Sequence, residues 1–190
     1  METVTLGTQN FPMVYADMEL QFPPDELKPM PYMQMLFDCG INSGFLVPDG
    51  DDFQAYALFI HAGDPDFQLL DYYAIRKDLQ GKGIGSVLLR QIREEMSCRW
   101  LLLEVEDPEY AADEADLSAR NRRLAFYFRS GLTDTGVRVF LFGVHYVILV
   151  LPKDGAPCTR QQAWDGLAEL YRNCIPPEKM PNFDPHSVIF

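Results

Sequence analysis

Positive charge is scarce in this chain. Its 16 Lys and Arg stand against 28 Asp and Glu, a formal net charge of −12 at pH 7. A nucleic-acid-binding surface must neutralise phosphates with basic side chains, so that balance excludes one. Cysteine is sparse as well. Cys39, Cys98, Cys158 and Cys174 form no Cys-x-x-Cys pair and no metal-like spacing with His61, His145 or His186. Neither a disulfide framework nor a metal centre is expected, and reduced thiols in a cytoplasmic protein fit best. Long hydrophobic runs are missing too: the longest, Val137–Leu151, is broken by Arg138, Gly143 and His145, too short and polar for a membrane span. The N-terminus shows no basic-then-apolar export signal, and internal repeats and low-complexity segments are absent. These absences predict a soluble, cytoplasmic protein that binds neither nucleic acid nor membrane.

What is present is an ordinary globular composition. With 190 residues, 47% hydrophobic and 23% charged, the chain can build one domain around a substantial core. Residues 1–24 are poor in pattern. Asp25 to Cys39 reads as a helix broken early by Pro29 and Pro31, with Met33, Met35, Leu36 and Phe37 as its apolar face. Three short strands follow, Ser43–Val47, Phe53–His61 and Phe67–Ile75, joined by turn-forming residues that suggest an antiparallel meander. The apolar period then changes from two to 3.6, with Ile84, Val87, Leu88, Gln91 and Ile92 on one helical face. Trp100–Val105 is a continuous apolar run typical of a buried central strand, so residues 67–105 read as a parallel strand–helix–strand crossover. An acidic loop, Glu106–Asp116, precedes a second helix, Ala119–Ser130, which Ser118 can cap and Gly131 can end. Thr133–Phe140 and Val144–Leu151 form a final hairpin, and Gln161–Asn173 a terminal helix with Trp164, Leu167, Leu170 and Tyr171 inward. A proline-rich tail completes the chain.

The segment that carries most chemistry joins the third strand to the helix: Gln80-Gly81-Lys82-Gly83-Ile84-Gly85-Ser86. Alternating glycines leave the backbone amides uncovered, and the helix adds unpaired N–H donors and a positive dipole end. The result is a cradle for an anion, most often a phosphate. The spacing of a nucleoside-triphosphate loop is not met. A dinucleotide fingerprint fails as well, because Ser86 stands at the third glycine position and Arg76–Gln80 separate strand from loop.

The stretch Ala74 to Gly85, with Gln80, Gly83 and Gly85 at the key positions, resembles the acyl-CoA loop of the GNAT superfamily of N-acyltransferases. A second stretch, Asn121 through Ala125, Phe126-Tyr127 and Gly131-Leu132, is similar to that family's later helix. One buried strand separates the two, and the likeness covers about residues 40–151. The fold implied is α/β (α+β): a mixed, splayed central sheet of about six to seven strands flanked by helices, with an antiparallel meander and one parallel crossover. Residues 1–151 would form the acetyltransferase domain. Residues 152–190 would pack on it as a helix and tail, covering the acceptor site or forming a dimer contact, so that monomer and homodimer both remain open.

The activity implied is transfer of an acetyl group from acetyl-CoA to a primary amine by direct attack in a ternary complex. A non-catalytic CoA-binding or interaction module that keeps the fold is the alternative. On the resemblance, the amides of residues 81–86 (Gly81, Lys82, Gly83, Ile84, Gly85 and Ser86) would hold the pyrophosphate, with the side chains of Gln80 and Lys82 assisting. Tyr73 and Ile75 would offer backbone groups to pantetheine, Asn121 would contact the pantetheine arm or its phosphates, and Tyr127 would protonate the departing thiolate. For the base, Glu104 or Glu106 at the end of the buried strand compete with Asp71 and with water. Alternation places Asp71 on the strand face of Tyr73 and Ile75. The acids Asp107, Glu109, Asp113, Glu114 and Asp116 could attract a cationic acceptor or simply favour a helix N-terminus. The acceptor itself is not identified.

Overall fold

A computed structural model describes residues 1–24, 26–61 and 63–175. The elements run β1 (Val4–Thr5), α1 (Phe11–Gln21), α2 (Met30–Asp38), β2 (Asn42–Asp49), β3 (Asp52–Ile60), β4 (Phe67–Ile75), α3 (Ile84–Glu95), β5 (Trp100–Glu106), α4 (Glu114–Arg129), β6 (Thr133–Leu141), β7 (Val144–Pro152) and α5 (Arg160–Cys174). The strands form one seven-stranded sheet in the order β1-β2-β3-β4-β5-β7-β6. Every pairing is antiparallel except β4 with β5. The mixed α/β architecture with its meander and single parallel crossover is the one the sequence predicts.

The helix expected over 25–39 is confined to Met30–Asp38, with Pro29 as its N-cap, and two further stretches differ from the sequence reading for local reasons. Residues 1–24 hold a strand and a helix that the pattern does not announce. Phe11, Val14 and Met18 are the buried stripe of α1, but exposed Met13 and Leu20 on its other faces blur the period. Helix α4 starts at Glu114, five residues before the expected Ala119, because Asp113 accepts from the Asp116 amide at 2.8 Å and is the cap. Ser118 instead lies inside the helix and accepts from Arg122. Three of the acids around the start of α4 have structural roles. Asp113 caps, Asp116 pairs with Arg120 at 3.0 Å, and Asp107 accepts from the Glu109 amide.

Three apolar clusters hold the layers together. On one face of the sheet, α3 and α4 bury Leu88, Leu89, Ile92 and Tyr127 against Leu70, Leu101, Leu103 and Val105. Val87, expected on that stripe, is 45% exposed, since it falls at the stripe's edge. On the other face, α5 packs Leu167, Leu170 and Tyr171 against Leu69, Trp100 and Leu102, while α1 and α2 cover Tyr56, Leu58, Tyr72 and Ala74. The residues of the terminal tail after Ile175 lie outside those described.

Strand β4 changes partners within its own length. Its parallel ladder to β5 holds only at Phe67↔Trp100, Gln68↔Leu101 and Leu69↔Leu102. Beyond Leu69 the two strands diverge, β5 continuing against β7 to Glu106↔Tyr146 and β4 against β3 to Ile75↔Ala55. The divergence opens a wedge in the middle of the sheet. At its apex β4 carries a bulge: Leu58 faces Tyr72 and Phe59 faces Leu70, so Asp71 is the extra residue. A bulge breaks the two-residue alternation. Leu70, Tyr73 and Ile75 therefore face α3 and α4, whereas Tyr72 and Ala74 face α1 and α2.

Candidate active site

The wedge is the floor of a cleft of about 1140 Å³ that passes from the α3–α4 face to the α1–α2–α5 face. Its first half is built mainly from backbone. After β4 the chain makes a short 3₁₀ turn, Lys77–Leu79, and enters α3 through Gly81 and Gly83. Both glycines have positive φ, +77° and +84°, and Gly83 is the N-cap. L side chains avoid that region, and a Cβ on either residue would project into open space rather than touch protein. The empty space above them is where an anion can meet bare amides. Gly85 has a different reason: a Cβ there would lie 3.1 Å from Phe126 Cζ and 3.4 Å from the Tyr73 hydroxyl. Tyr73 also donates to the Gly85 carbonyl at 2.6 Å, pinning the first turn of α3 to β4.

Gln80, Gly81, Gly83, Ile84, Gly85, Ser86, Tyr73 and Ile75 all line this half. Gln80 is spent on the fold, donating to the Ile75 carbonyl at 3.2 Å and to Gln21 at 3.3 Å. Two expected contacts are not brought to the cleft. Lys82 points to solvent, and Asn121 is exposed on α4 outside the lining; Arg122, Arg123 and Arg129 of the same helix line it instead. Tyr127 reaches the cleft from the inward side of α4 and is 7% exposed. Among the described residues its hydroxyl makes no hydrogen bond. Burial pushes its pKa up to about 12 against the opposing pull of Arg123, so the phenol holds its proton throughout the neutral range.

The second half is built from side chains. Glu104 sits on β5 between Leu103 and Val105, whose side chains belong to the α3–α4 cluster, and so points to the opposite face. There the Tyr171 hydroxyl of α5 donates to its Oε1 at 2.7 Å. Burial raises the Glu104 carboxyl to about 7; the Tyr171 hydrogen bond and the Lys28 ammonium pull the other way, while Asp71 and Glu26 add to the rise. Glu106, on the same strand face, is held by Arg120 at 3.1 Å and by Arg123. Two guanidinium partners occupy the carboxylate lone pairs that a base would need.

Asp71 does not share the face of Tyr73 and Ile75, because the bulge turns it with Tyr72 towards α1 and α2. Its side chain is 4% exposed, and its Oδ1 accepts from Lys28 Nζ at 2.6 Å. Burial would lower the Lys28 pKa, and the Asp71 charge beside it more than reverses this, holding the ammonium above its ordinary value. Lys28, Tyr171, Tyr146 and Phe142 complete this half, and none was singled out as a site residue from the sequence. Tyr171 had a signal, since it falls on the inward stripe of its helix. Lys28 had none, because nothing local marks a lysine in a proline-flanked segment as the partner of a residue 43 positions later. Phe142 begins the two-residue turn between β6 and β7 with φ +52°, a conformation unusual for a bulky side chain.

A cradle of bare amides opening a helix, beside a parallel pair that splays after three residues, is a specific combination. The family model for the acetyltransferase (GNAT) family matches residues 11–115, more than half of the chain. The chain belongs to the GNAT acetyltransferase family. Solved GNAT structures share the fold. A GNAT-family protein from Bacteroides thetaiotaomicron superposes with a TM-score of 0.69 at 19% identity, covering 93% of this chain and 100% of its own. An aminoglycoside 6'-N-acetyltransferase complexed with coenzyme A gives 0.65 at 14% identity, covering 83% and 100%. The ribosomal-protein-S18-alanine N-acetyltransferase from Escherichia coli gives 0.57 at 21%, covering 82% and 96%. No curated protein sequence matches the chain. GNAT enzymes use acetyl-CoA, and the amide cradle with its open space suits that ligand's pyrophosphate.

Proposed function

We propose that the protein transfers an acetyl group from acetyl-CoA to a primary amine by direct attack in a ternary complex. The observation that carries this reading is the wedge between β4 and β5, which joins an anion cradle on one sheet face to a carboxylate of raised pKa on the other. Acetyl-CoA would lie with its pyrophosphate on the amides of residues 81–86 and its pantetheine along β4 beyond Leu69, where the ladder to β5 has ended. Its thioester would then sit in the wedge.

Glu104 is the base in this scheme. With a pKa near 7 it is poised to take a proton from an ammonium acceptor and remain ionised often enough to do so again. The freed amine attacks the thioester carbon, and the Tyr73 N–H is the candidate donor to the oxyanion. Collapse breaks the C–S bond, the sulfur leaving with its electron pair and taking a proton from Tyr127 to become the thiol; the nitrogen loses its second proton to water as the amide forms, and water returns a proton to the Tyr127 phenolate. Asp71, already paired with Lys28, and Glu106, held by two arginines, are left with binding and structural roles.

The test is acetyl-CoA turnover, followed by free-thiol release, across a panel of amines, together with the melting temperature in acetyl-CoA. Turnover with at least one amine and a concentration-dependent rise in Tm are expected. A Tm rise without turnover on any amine would replace the enzyme with a CoA-binding module. Absence of both would end the reading.

A further inference from the structure

The acceptor half of the cleft has a charge balance of its own. Glu26, Asp71 and Glu104 line it; Lys28 is paired with Asp71, and the Arg120 guanidinium acts on Glu26. An acidic lining alone could be solvated surface, but Asp71 is not surface. Its side chain is 4% exposed, its Oδ1 is taken by Lys28, and its Oδ2 is buried with no hydrogen-bond partner among the described residues. A buried carboxylate oxygen with unused lone pairs is costly unless a donor arrives to fill it.

The position of that oxygen is informative. The last β4–β5 pair is Leu69↔Leu102, and Asp71 and Glu104 each stand two residues further along their strands. The two carboxylates therefore face each other across the start of the wedge, both on the face away from α3 and α4. Aromatic rings wall the space around them, Tyr72, Tyr146 and Tyr171 among them. The Tyr72 ring already takes a cation, with Lys28 Nζ 5.0 Å from its centre.

We infer that the acceptor carries a second cationic nitrogen, joined by a short aliphatic spacer to the amine that is acetylated. This rests on the acetyl-transfer reading and names its substrate class. One nitrogen meets Glu104 and gives up its proton. The other stays charged, donates to Asp71 Oδ2, and lets its methylenes lie along the tyrosine rings. An acceptor with a carboxylate in place of the second nitrogen would bring like charge against Asp71 and Glu26, so amino acids are excluded as good substrates.

Three probes of matched length test this with the full-length protein: 1,4-diaminobutane, butylamine and 4-aminobutanoate. The diamine should exceed butylamine in kcat/KM by about tenfold to a hundredfold, the range for a charge-assisted hydrogen bond, with 4-aminobutanoate lowest. Asp71→Asn should bring the diamine-to-butylamine ratio down by about tenfold or more. Should that variant fail to fold, Lys28→Met/Asp71→Asn removes both charges of the pair and makes the same test. Equal use of diamine and butylamine, or a preference that survives loss of Asp71, overturns the inference while leaving acetyl transfer intact. If no amine is turned over, calorimetric titration of 1,4-diaminobutane into the CoA-bound protein decides. Binding that is lost in Asp71→Asn supports a dication site, and no binding overturns it. Failure of the acetyl-transfer reading is separate, being read from acetyl-CoA consumption across the whole panel.

Discussion

The two halves of the cleft are made of different material. On the proposed donor side the groups that would face the ligand are largely main-chain amides from one contiguous stretch, residues 81–86, backed by Tyr73 and Ile75 of the strand just before it. On the proposed acceptor side they are side chains from six separate places: the segment before α2, β4, β5, the β6–β7 turn, β7 and α5. The charges differ accordingly. Arginines 122, 123 and 129 come to the cleft from α4, whereas carboxylates outnumber the ammonium on the opposite face. A backbone site tolerates change in its side chains but not in its φ angles, so it binds one conserved chemistry. A side-chain site is re-specified by single substitutions. The donor half would thus define the reaction, and the acceptor half the substrate.

The sharpest way to break this contrast is Glu104→Gln. Loss of the base should lower kcat by about 10²–10³-fold, within the usual range for general-base removal, with little change in acetyl-CoA affinity. The wild-type pH profile should rise to a plateau with an apparent pKa near 7, and the variant should lose that limb. Stability carries the same signature. The folded carboxyl titrates at about 7 against a reference of 4.5, so between those values the native state holds a proton that the unfolded chain has released. The group's contribution is therefore most favourable below pH 4.5 and falls as pH rises to about 7. Glu104→Gln should gain stability relative to wild type across that window and hold the gain above it, as read by chemical denaturation at pH 5 and 8.

Gly83→Glu makes the matching break on the donor side. It forces a side chain into φ +84° and sets a carboxylate over the amides meant for phosphate. Acetyl-CoA affinity should fall by about a hundredfold, a strain of 1–2 kcal/mol plus like-charge repulsion, and the Tm shift should vanish at concentrations that saturate wild type. Normal binding would show that the cradle is not what holds the donor.

How far each half could be read from the sequence follows from the same contrast. The glycines at 81, 83 and 85 and the helix pattern behind them lie in one window, so local rules reach them. The strands of the meander are equally local, each a short alternating run ended by turn residues. Asp71 shows where local rules stop: alternation puts it beside Tyr73, and one extra residue in the ladder sends it to the other face. The bulge lies in the pairing of β4 with β3, which no pattern within β4 alone records. The Lys28–Asp71 and Tyr171–Glu104 contacts span 43 and 67 residues, and only the closed topology creates them. Asn121 is the opposite case. The motif is present, but the rotation of α4 exposes it and turns Arg122 and Arg123 to the cleft.

Tyr127→Phe sharpens the division between binding and chemistry within the donor half. The ring is packed and the hydroxyl has no partner among the described residues, so its removal leaves no donor or acceptor stranded. Folding and acetyl-CoA affinity should be nearly unchanged. If the phenol protonates the thiolate, kcat should drop by about tenfold to a hundredfold, the low end for a general acid, and kcat/KM with it. Calorimetric acetyl-CoA titration beside steady-state rates separates these outcomes, and a kcat within about twofold of wild type would return Tyr127 to the core.

The smallest expected effect tests whether the acceptor half is tuned as well as assembled. Tyr171 lies on α5, 67 residues from Glu104, yet its hydroxyl donates to the carboxylate at 2.7 Å. That hydrogen bond favours the ionised form and opposes the larger effect of burial. Tyr171→Phe keeps the ring against Leu167, Leu170 and the strands but removes the donor. With the opposing influence gone, the Glu104 pKa should move further up, and the rising limb of kcat/KM should shift to higher pH by about half a unit to one unit, the worth of a neutral hydrogen bond of roughly 1 kcal/mol. At pH well above the limb the variant should approach the wild-type rate, which a merely structural loss would not permit. A lower plateau with an unmoved limb would mean that α5 supports the cleft without setting its proton affinity, and that the base is tuned from β4 and Lys28 alone.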